Sequence, residues 1–324
     1  MSDDAPPADK PIPVKKAVSL GGLFEVIVFL SLSCTWLGSM GRYGWVFELL
    51  SHFRLQYVIV CSIWVIYALI RRRTALVMIS LISVLWNAQI IHAFQQTAEV
   101  LNTKGEPPLR VVTFNVLTNN KNQVAAVNHL MQSNADIVCL LEVDDTWRVA
   151  LEPLRVKYPH RVEELNDGSF GIACYTRLPL KSTEVRRFTT WRMPTVVFNL
   201  DHLGRPLTFI GTHPIAPIGG FKTHEWREQL SGIASLVAGL SGEVIVAGDF
   251  NATPWCEGMR LLRELGGLDF HSVDPVWPPT WGLNLPVMIP IDHVLLKRGL
   301  TVQKRTIGPE MGSDHRSVTV EIRR

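Results

Sequence analysis

The sequence predicts an α/β sandwich carried behind three membrane-spanning helices. Apolar residues crowd before residue 95 into three blocks of roughly the ~20 residues that a bilayer crossing requires. Beyond residue 108, short β-branched runs alternate with amphipathic stretches, the pattern of helices covering packed sheets. Several of those runs end in Asn, Glu, Asp or His, which points to one shared cleft at the strand ends.

The 324 residues suffice for one large domain or two smaller ones. A mean hydropathy of +0.16 and 47% hydrophobic residues are high for a soluble chain, and the excess sits in the first third. A net charge of +3 argues against a nucleic-acid scavenger, whose domain is usually markedly basic. The 5 cysteines form no CxxC pattern and no disulfide framework. Cys34 and Cys61 lie in apolar blocks and Cys139 and Cys174 in expected strands, so Cys256, beside Trp255, is expected to meet solvent as a free thiol.

Residues 1–19, rich in Pro, Asp, Lys and Ala, read as a disordered cytoplasmic tail. The three-helix membrane region follows at 20–95. Its first block, Leu20 to Met40, carries a single charge, Glu25, and no small-x-small motif marks it as a cleaved signal. The second runs from Leu55 to Ile70, or from Val46 with Glu48, His52 and Arg54 at its outer end; the third spans Ala75 to Phe94. Trp36, Tyr43, Trp45, Tyr57 and Tyr67 cluster near block ends, as an interfacial belt requires. Lys15, Lys16 and the run Arg71-Arg72-Arg73 are expected on the cytoplasmic side, with Arg42, Arg54 and everything after the third block outside. Glu25 and His92, near block ends, read as snorkelling or lumen-facing.

A polar linker, 96–108, leads into a domain at 109–324. Strands are expected at 109–115, 136–142, 169–175, 194–200, 206–213, 243–249, 290–296, 301–307 and 316–322, and helices at 121–133, 145–157, 222–239 and 257–265.

The chemistry gathers at the strand ends. Ile245 to Asn251 (IVAGDFN) is an apolar run that ends in an acid and an amide two residues apart, on one side if the strand continues. Taken alone, such a pair is as readily a turn or cap as a site. Asn115 ends VVTFN, Glu142 ends IVCLLE, His213 ends LTFIGTH, Asp292 ends IPID, and the turn GSDH supplies Asp314 and His315. Six such endings restricted to acids, amides and histidines favour a common site. Hard cations such as Mg²⁺ take oxygen ligands, a role that suits Glu142 and Asp314 helped by Asn115. Zinc fits less well, because no HExxH or cysteine cluster is present. His213 and His315 suit a phosphoryl oxygen or proton exchange, with Asp292 as a carboxylate partner; a buried structural histidine is the alternative for each.

The motifs TFNVL, LLEVD, GTHPIAP, GDFNATPW, PTW, IDHVLL and GSDHRSV, in that order across 109–322, resemble the endonuclease/exonuclease/phosphatase superfamily. The preceding blocks resemble members anchored in the bacterial inner membrane, with the catalytic domain in the periplasm. The resemblance implies a DNase I-like four-layer α/β sandwich of two packed mixed sheets, and metal-dependent hydrolysis of a phosphate ester by in-line attack of water, with Mg²⁺ or Mn²⁺. It implies Glu142, Asn115 and Asp314 at the metal, Asp249 and Asn251 on the attacking water, and His315 with Asp292, and His213, at the phosphate. Leu141 stands where a glutamine is common, and Tyr175 falls near an accessory position without a clear role. His293 reads as a core or rim residue, and Arg227 either reaches a phosphate or lies on a solvated helix face. The substrate expected is a lipid headgroup, a nucleotide or another small ester. An extracytoplasmic nuclease is the main alternative and a catalytically silent tethered binding module the lesser one; beyond the bilayer itself no protein partner is inferred. Pro214 to Phe221 and Trp277 to Met288 are read either as an apolar rim touching lipid or as a packed lid.

Overall fold

The computed structural model describes residues 20–94, 107–270, 278–282, 287–297 and 299–324. The expected tail, most of the linker, and positions 277 and 283–286 of the stretch 277–288 lie outside the described residues. Helix α1 spans Leu20–Leu37 and continues through a 3₁₀ turn, Gly38–Tyr43, into α2, Trp45–Ser51. Helices α3, Arg54–Ile70, and α4, Thr74–His92, follow as an antiparallel pair. The segment 21–43 and α4 are each long and apolar enough to cross a membrane, and α2 with α3 forms a third candidate bent by 69°. The second apolar block therefore begins near Val46 but is broken, because Phe53 leaves the helical path between α2 and α3. Arg73 pairs with Glu25 at 3.3 Å, so the Arg71–Arg73 loop and the start of α1 share one end of the bundle.

The second region is built from twelve strands in two six-stranded mixed sheets. One sheet comprises β1 Leu109–Asn115, β2 Ile137–Leu141, β3 His160–Glu164, β4 Ile172–Thr176, β11 Thr301–Ile307 and β12 Val318–Arg323, in the order β11-β12-β1-β2-β4-β3. The other comprises β5 Leu180–Arg186, β6 Thr195–His202, β7 Arg205–Thr212, β8 Glu243–Asp249, β9 Leu268–Asp269 and β10 Asp292–Lys297, in the order β5-β6-β7-β8-β10-β9. Helices α5 Gln123–Gln132, α6 Asp145–Ala150 and α7 Glu152–Lys157 cover the first sheet; α8 Gly220–Ala238 and α9 Glu257–Glu264 cover the second. This is the predicted four-layer sandwich. The alternation of the strands divides the core in three: Val111, Cys139, Phe209, Ile245 and Val294 face the opposing sheet, while Val112 and Phe114 meet α5 to α7, and Val244 and Val246 meet α8 and α9.

Three local expectations are corrected. The helix expected at 145–157 is two, because Leu151 leaves the helix and Pro153 opens the next. Strands β3 (HRVEE) and β5 (LKSTEVR) were not anticipated: both border the ends of their sheets, are mostly exposed or half-buried, and carry no apolar run. Cys256 is buried against α8 and α9 rather than exposed.

Candidate active site

The site grows from the inner faces of both sheets. Along β1, residues 111, 113 and 115 point toward the opposing sheet; along β8, residues 245, 247 and 249 do the same, and 207, 209, 211 and 213 do so along β7. Buried apolar or small side chains fill most of these rows, with Thr113 and Gly211 next to last in two of them, and the rows close on Asn115, Asp249 and His213. Parallel pairing of β1 with β2 sets Asn115 opposite Leu141, one residue before Glu142. Parallel pairing of β7 with β8 sets Thr212 opposite Gly248, one residue before His213 and Asp249. Strand β10 runs antiparallel, with Asp292 opposite Asp249, so Asp292 opens its strand rather than ending one as expected. His315 likewise precedes β12, which is antiparallel to β1.

These registers converge. Asn115 Nδ2 donates to Glu142 Oε1 at 3.0 Å and to Asp249 Oδ2 at 3.1 Å, joining the two sheets, and lies 3.4 Å from His315 Nε2. Strand alternation would send Glu142 toward the helices, but its φ of +63° turns the chain and returns its carboxylate to Asn115. That left-handed backbone is held by Thr118, whose N–H and hydroxyl donate to Oε2 and to the carbonyl of Glu142. Asp249 Oδ1 accepts the N–H of Asn251 at 2.8 Å, while Oδ2 lies 3.4 Å from His213 Nε2 and 3.6 Å from His315 Nε2. Asn251 does not continue the strand; at φ +49° it turns, and its Nδ2 donates to the carbonyl of Pro214 and meets His213 Nε2 at 3.4 Å. His315 Nδ1 donates to Asp292 Oδ2 at 2.9 Å. Asp314 accepts from Trp281 Nε1 at 3.0 Å and neighbours His315 closely enough to act on its charge.

Charge is unequally shared. Burial works against an imidazolium at His315, but Asp292 and Asp249 outweigh it and push the ring up to about 10. Burial would raise Asp249, yet His315 and His213 hold it down to about 2. His213 is also raised: burial opposes, and the contact with Asp249 prevails. Its Nδ1 and the Oδ1 of Asp292 are buried with no hydrogen-bond partner among the described residues.

The donor set fits a divalent cation. Glu142, Asp249, Asp292 and Asp314 lie around two histidines, and among the described residues no Lys or Arg forms an ion pair with any of the four. Asp249, Asp292 and His315 alone bring ligand atoms within 4.8 Å of one another. One atom each of His315 and Asp292 is already spent on their hydrogen bond, which leaves Glu142 and Asp314, both half-buried and open to solvent, as the better oxygen donors. Asn115 as placed donates its amide to the carboxylates, and its Oδ1 accepts from Leu117 N–H at 3.1 Å.

Every residue expected at the site lies in this one region. Others do not. Arg227 turns to Gly41 O (2.7 Å) and Glu48 in the N-terminal helices, which settles it as neither phosphate ligand nor solvated face. Tyr175 is buried at the far side and donates to Glu163. His293 is a core residue, 2.8 Å from the carbonyl of Ala252, and burial lowers its ring to about 3. The supports Thr118, Thr280, Trp281 and Ser313 escaped notice: Thr280 Oγ1 accepts the N–H of Ile291 and of Asp292, and Ser313 Oγ ties the carbonyl of Asn115 to the N–H of His315. Part of their signal was present in the motifs: PTW supplies Thr280 and Trp281, GSDH supplies Ser313 beside Asp314, and Thr118 directly follows TFNVL.

The profile of the endonuclease/exonuclease/phosphatase family matches residues 112–315, from β1 to His315. The chain belongs to this family. It is accordingly an enzyme, a hydrolase acting on phosphoric esters. A UPF0294 protein of Vibrio parahaemolyticus is 24% identical over 69% of this chain and 80% of its own length. An endonuclease/exonuclease/phosphatase protein of Bacteroides vulgatus is 13% identical, with a TM-score of 0.57 over 67% of this chain and 99% of that one. The Neisseria 3′ phosphatase NExo, bound to a product DNA hairpin, is 16% identical with a TM-score of 0.55 over 67% and 100%. At these identities the two solved structures speak for the shared fold.

Proposed function

We propose that the protein is a membrane-anchored, Mg²⁺-dependent phosphoesterase that hydrolyses a phosphate ester by in-line attack of water. The observation that carries this reading is the meeting of Asn115, Glu142, His213, Asp249, Asn251, Asp292 and His315 where the two sheets end together. Glu142 and Asp314 would hold the cation, with Asn115 orienting Glu142. The bound cation supplies Lewis-acid polarisation and neutralises charge on the phosphoryl oxygens.

The chain's own groups divide the remaining work. Asp249, ionised and fixed by Asn251 N–H, accepts a hydrogen bond from the attacking water and aligns it. Asn251 and His213 flank that position. His315 stays an imidazolium at neutral pH because Asp292 sits on its Nδ1, which leaves Nε2–H to hold a phosphoryl oxygen or protonate the leaving group. The catalytic domain is assigned to the outer side of a bacterial inner membrane, a placement supported by the shared end of Arg71–Arg73 and the start of α1. In this reading 20–95 form the anchor and 109–324 the enzyme.

The purified full chain should hydrolyse at least one of a phospholipid, a nucleotide and plasmid DNA with Mg²⁺ and none with EDTA, Mg²⁺ or Mn²⁺ restoring activity. Turnover unaffected by chelation would overturn the cation assignment. Nuclease action is the second reading, favoured by the DNA hairpin held by the Neisseria relative, and preferential cleavage of plasmid DNA would select it.

A further inference from the structure

The outer ends of the N-terminal helices are not tethered loosely to the catalytic domain; they are seated in it. Glu48, fully buried on α2, accepts from the N–H of Gly258 and lies 3.5 Å from Arg227 of α8, which also donates to Gly41 O. His52 Nδ1 accepts the N–H of Thr253, two residues after Asn251, and Trp255 Nε1 donates to Ser51 O. Phe94, just past α4, contacts Trp255 and Phe270, and Gln56 of α3 donates to Met288 O. This docking holds the sandwich in one attitude to the helices.

The level of the membrane follows from the same end of the bundle. Trp36 and Trp86 stack at 5.8 Å, and with Tyr43 and Trp45 they form an exposed aromatic band around the turn that contains Gly41. Tyr and Trp prefer the headgroup layer, so the band marks the bilayer surface. Arg227 touches that turn directly. Phe221 lies six residues earlier on α8, about 9 Å along its axis.

At that short distance stands an apolar rim. Phe221 is 57% exposed, Ile218 58% and Trp191 47%, and the Trp191 and Phe221 rings meet at 5.6 Å. The basic residues Arg192 and Lys222 beside them are exposed as well. The rim is continuous with the site: the loop carrying Ile218 begins at His213, and Pro214 O is held by Asn251. Large exposed apolar side chains in contact with one another, flanked by cations and next to a docked membrane bundle, are the features of a surface that enters a lipid interface.

We propose that Trp191, Ile218 and Phe221 seat in the headgroup layer of the bilayer that carries the helices, and that the site takes its phosphate ester from a lipid of that same bilayer. The second half rests on the phosphoesterase reading; the first does not. The rim then serves as the approach by which a headgroup reaches His213 and Asn251 without its acyl chains leaving the membrane.

The full chain, reconstituted in nanodiscs of phosphatidylethanolamine and phosphatidylglycerol in a Cys34→Ala background, is spin-labelled at Ile218→Cys and separately at Val156→Cys. Val156 is 89% exposed on α7, in the layer that covers the other sheet. The label at 218 should be reached by oxygen and shielded from a water-soluble nickel chelate, with the reverse at 156; equal access of the chelate to both overturns the contact whatever the activity. A Trp191→Ser/Phe221→Ser double variant should lose about tenfold or more in hydrolysis of bilayer phospholipid, yet stay within about twofold of the parent on water-soluble bis(p-nitrophenyl) phosphate. Equal losses on both, no loss on lipid, or a parent that cleaves the soluble ester alone overturns the lipid substrate. A parent inert on both with Mg²⁺ sinks the phosphoesterase reading and the substrate half with it, while the spin labels still judge the contact.

Discussion

Asp249 combines the two geometries that its tripeptide left open, a turn and a place in the polar cluster. Its Oδ1 closes a local turn with Asn251 N–H, and its Oδ2 faces Asn115, His213 and His315, so turn and site share one side chain. Replacing Asp249 or Glu142 by Ala should lower kcat by roughly 10³-fold or more in a chain that still folds cooperatively, as checked by thermal melting. Retained turnover would show that these acids are not catalytic. His315 supplies the pH dependence. Its ring is raised because Asp292 stabilises the charged form, so the imidazolium persists through neutral pH and is lost only as pH rises toward the raised value. Asp292→Asn removes the stabilising charge, lowering the ring toward its ordinary range; the alkaline limb of the pH profile of kcat/KM should move to lower pH. A limb that stays in place would mean another group governs it.

At the scale of elements, register decides which residues meet. Strands β7, β8 and β10 pair so that Thr212, Gly248 and His293 lie side by side one step from the site, and Gly248 permits it: a Cβ there would sit 1.8 Å from the carbonyl oxygen of Thr212. Gly248→Ala should destabilise the chain by about 3 kcal/mol, seen as a lowered melting temperature together with lost activity, because backbone must shift to admit it. Unchanged melting would show that the strands part without cost. Elsewhere the apolar runs of β1 and β8 announced their bounds residue for residue, because buried strands leave continuous β-branched stretches. Strands β3 and β5 could not be read that way, since partners rather than composition recruit polar sequences near a sheet's edge.

Across the whole molecule, the helices and the sandwich share a buried polar junction. Arg227→Ala leaves the fully buried Glu48 without its cation and should lower stability by about 3 kcal/mol, measured by thermal melting of the detergent-solubilised full chain. A neutral result would reduce the Glu48–Arg227 pair to an incidental contact. The junction also ties the loop after Asn251 to His52, which places the anchor two residues from a proposed catalytic side chain.

The order of the buried strands, the apolar blocks and the identities of the polar strand ends are local properties, and the sequence by itself determined them through alternation, length and residue type. Tertiary structure decided what locality cannot express. It ran β10 backwards so that Asp292 opens its strand, turned Glu142 through a positive φ, drew Arg227 onto the N-terminal helices and buried Cys256. Each outcome depends on a partner distant in the chain, whose approach is fixed by packing the two sheets and the helices together and leaves no trace in the neighbouring residues.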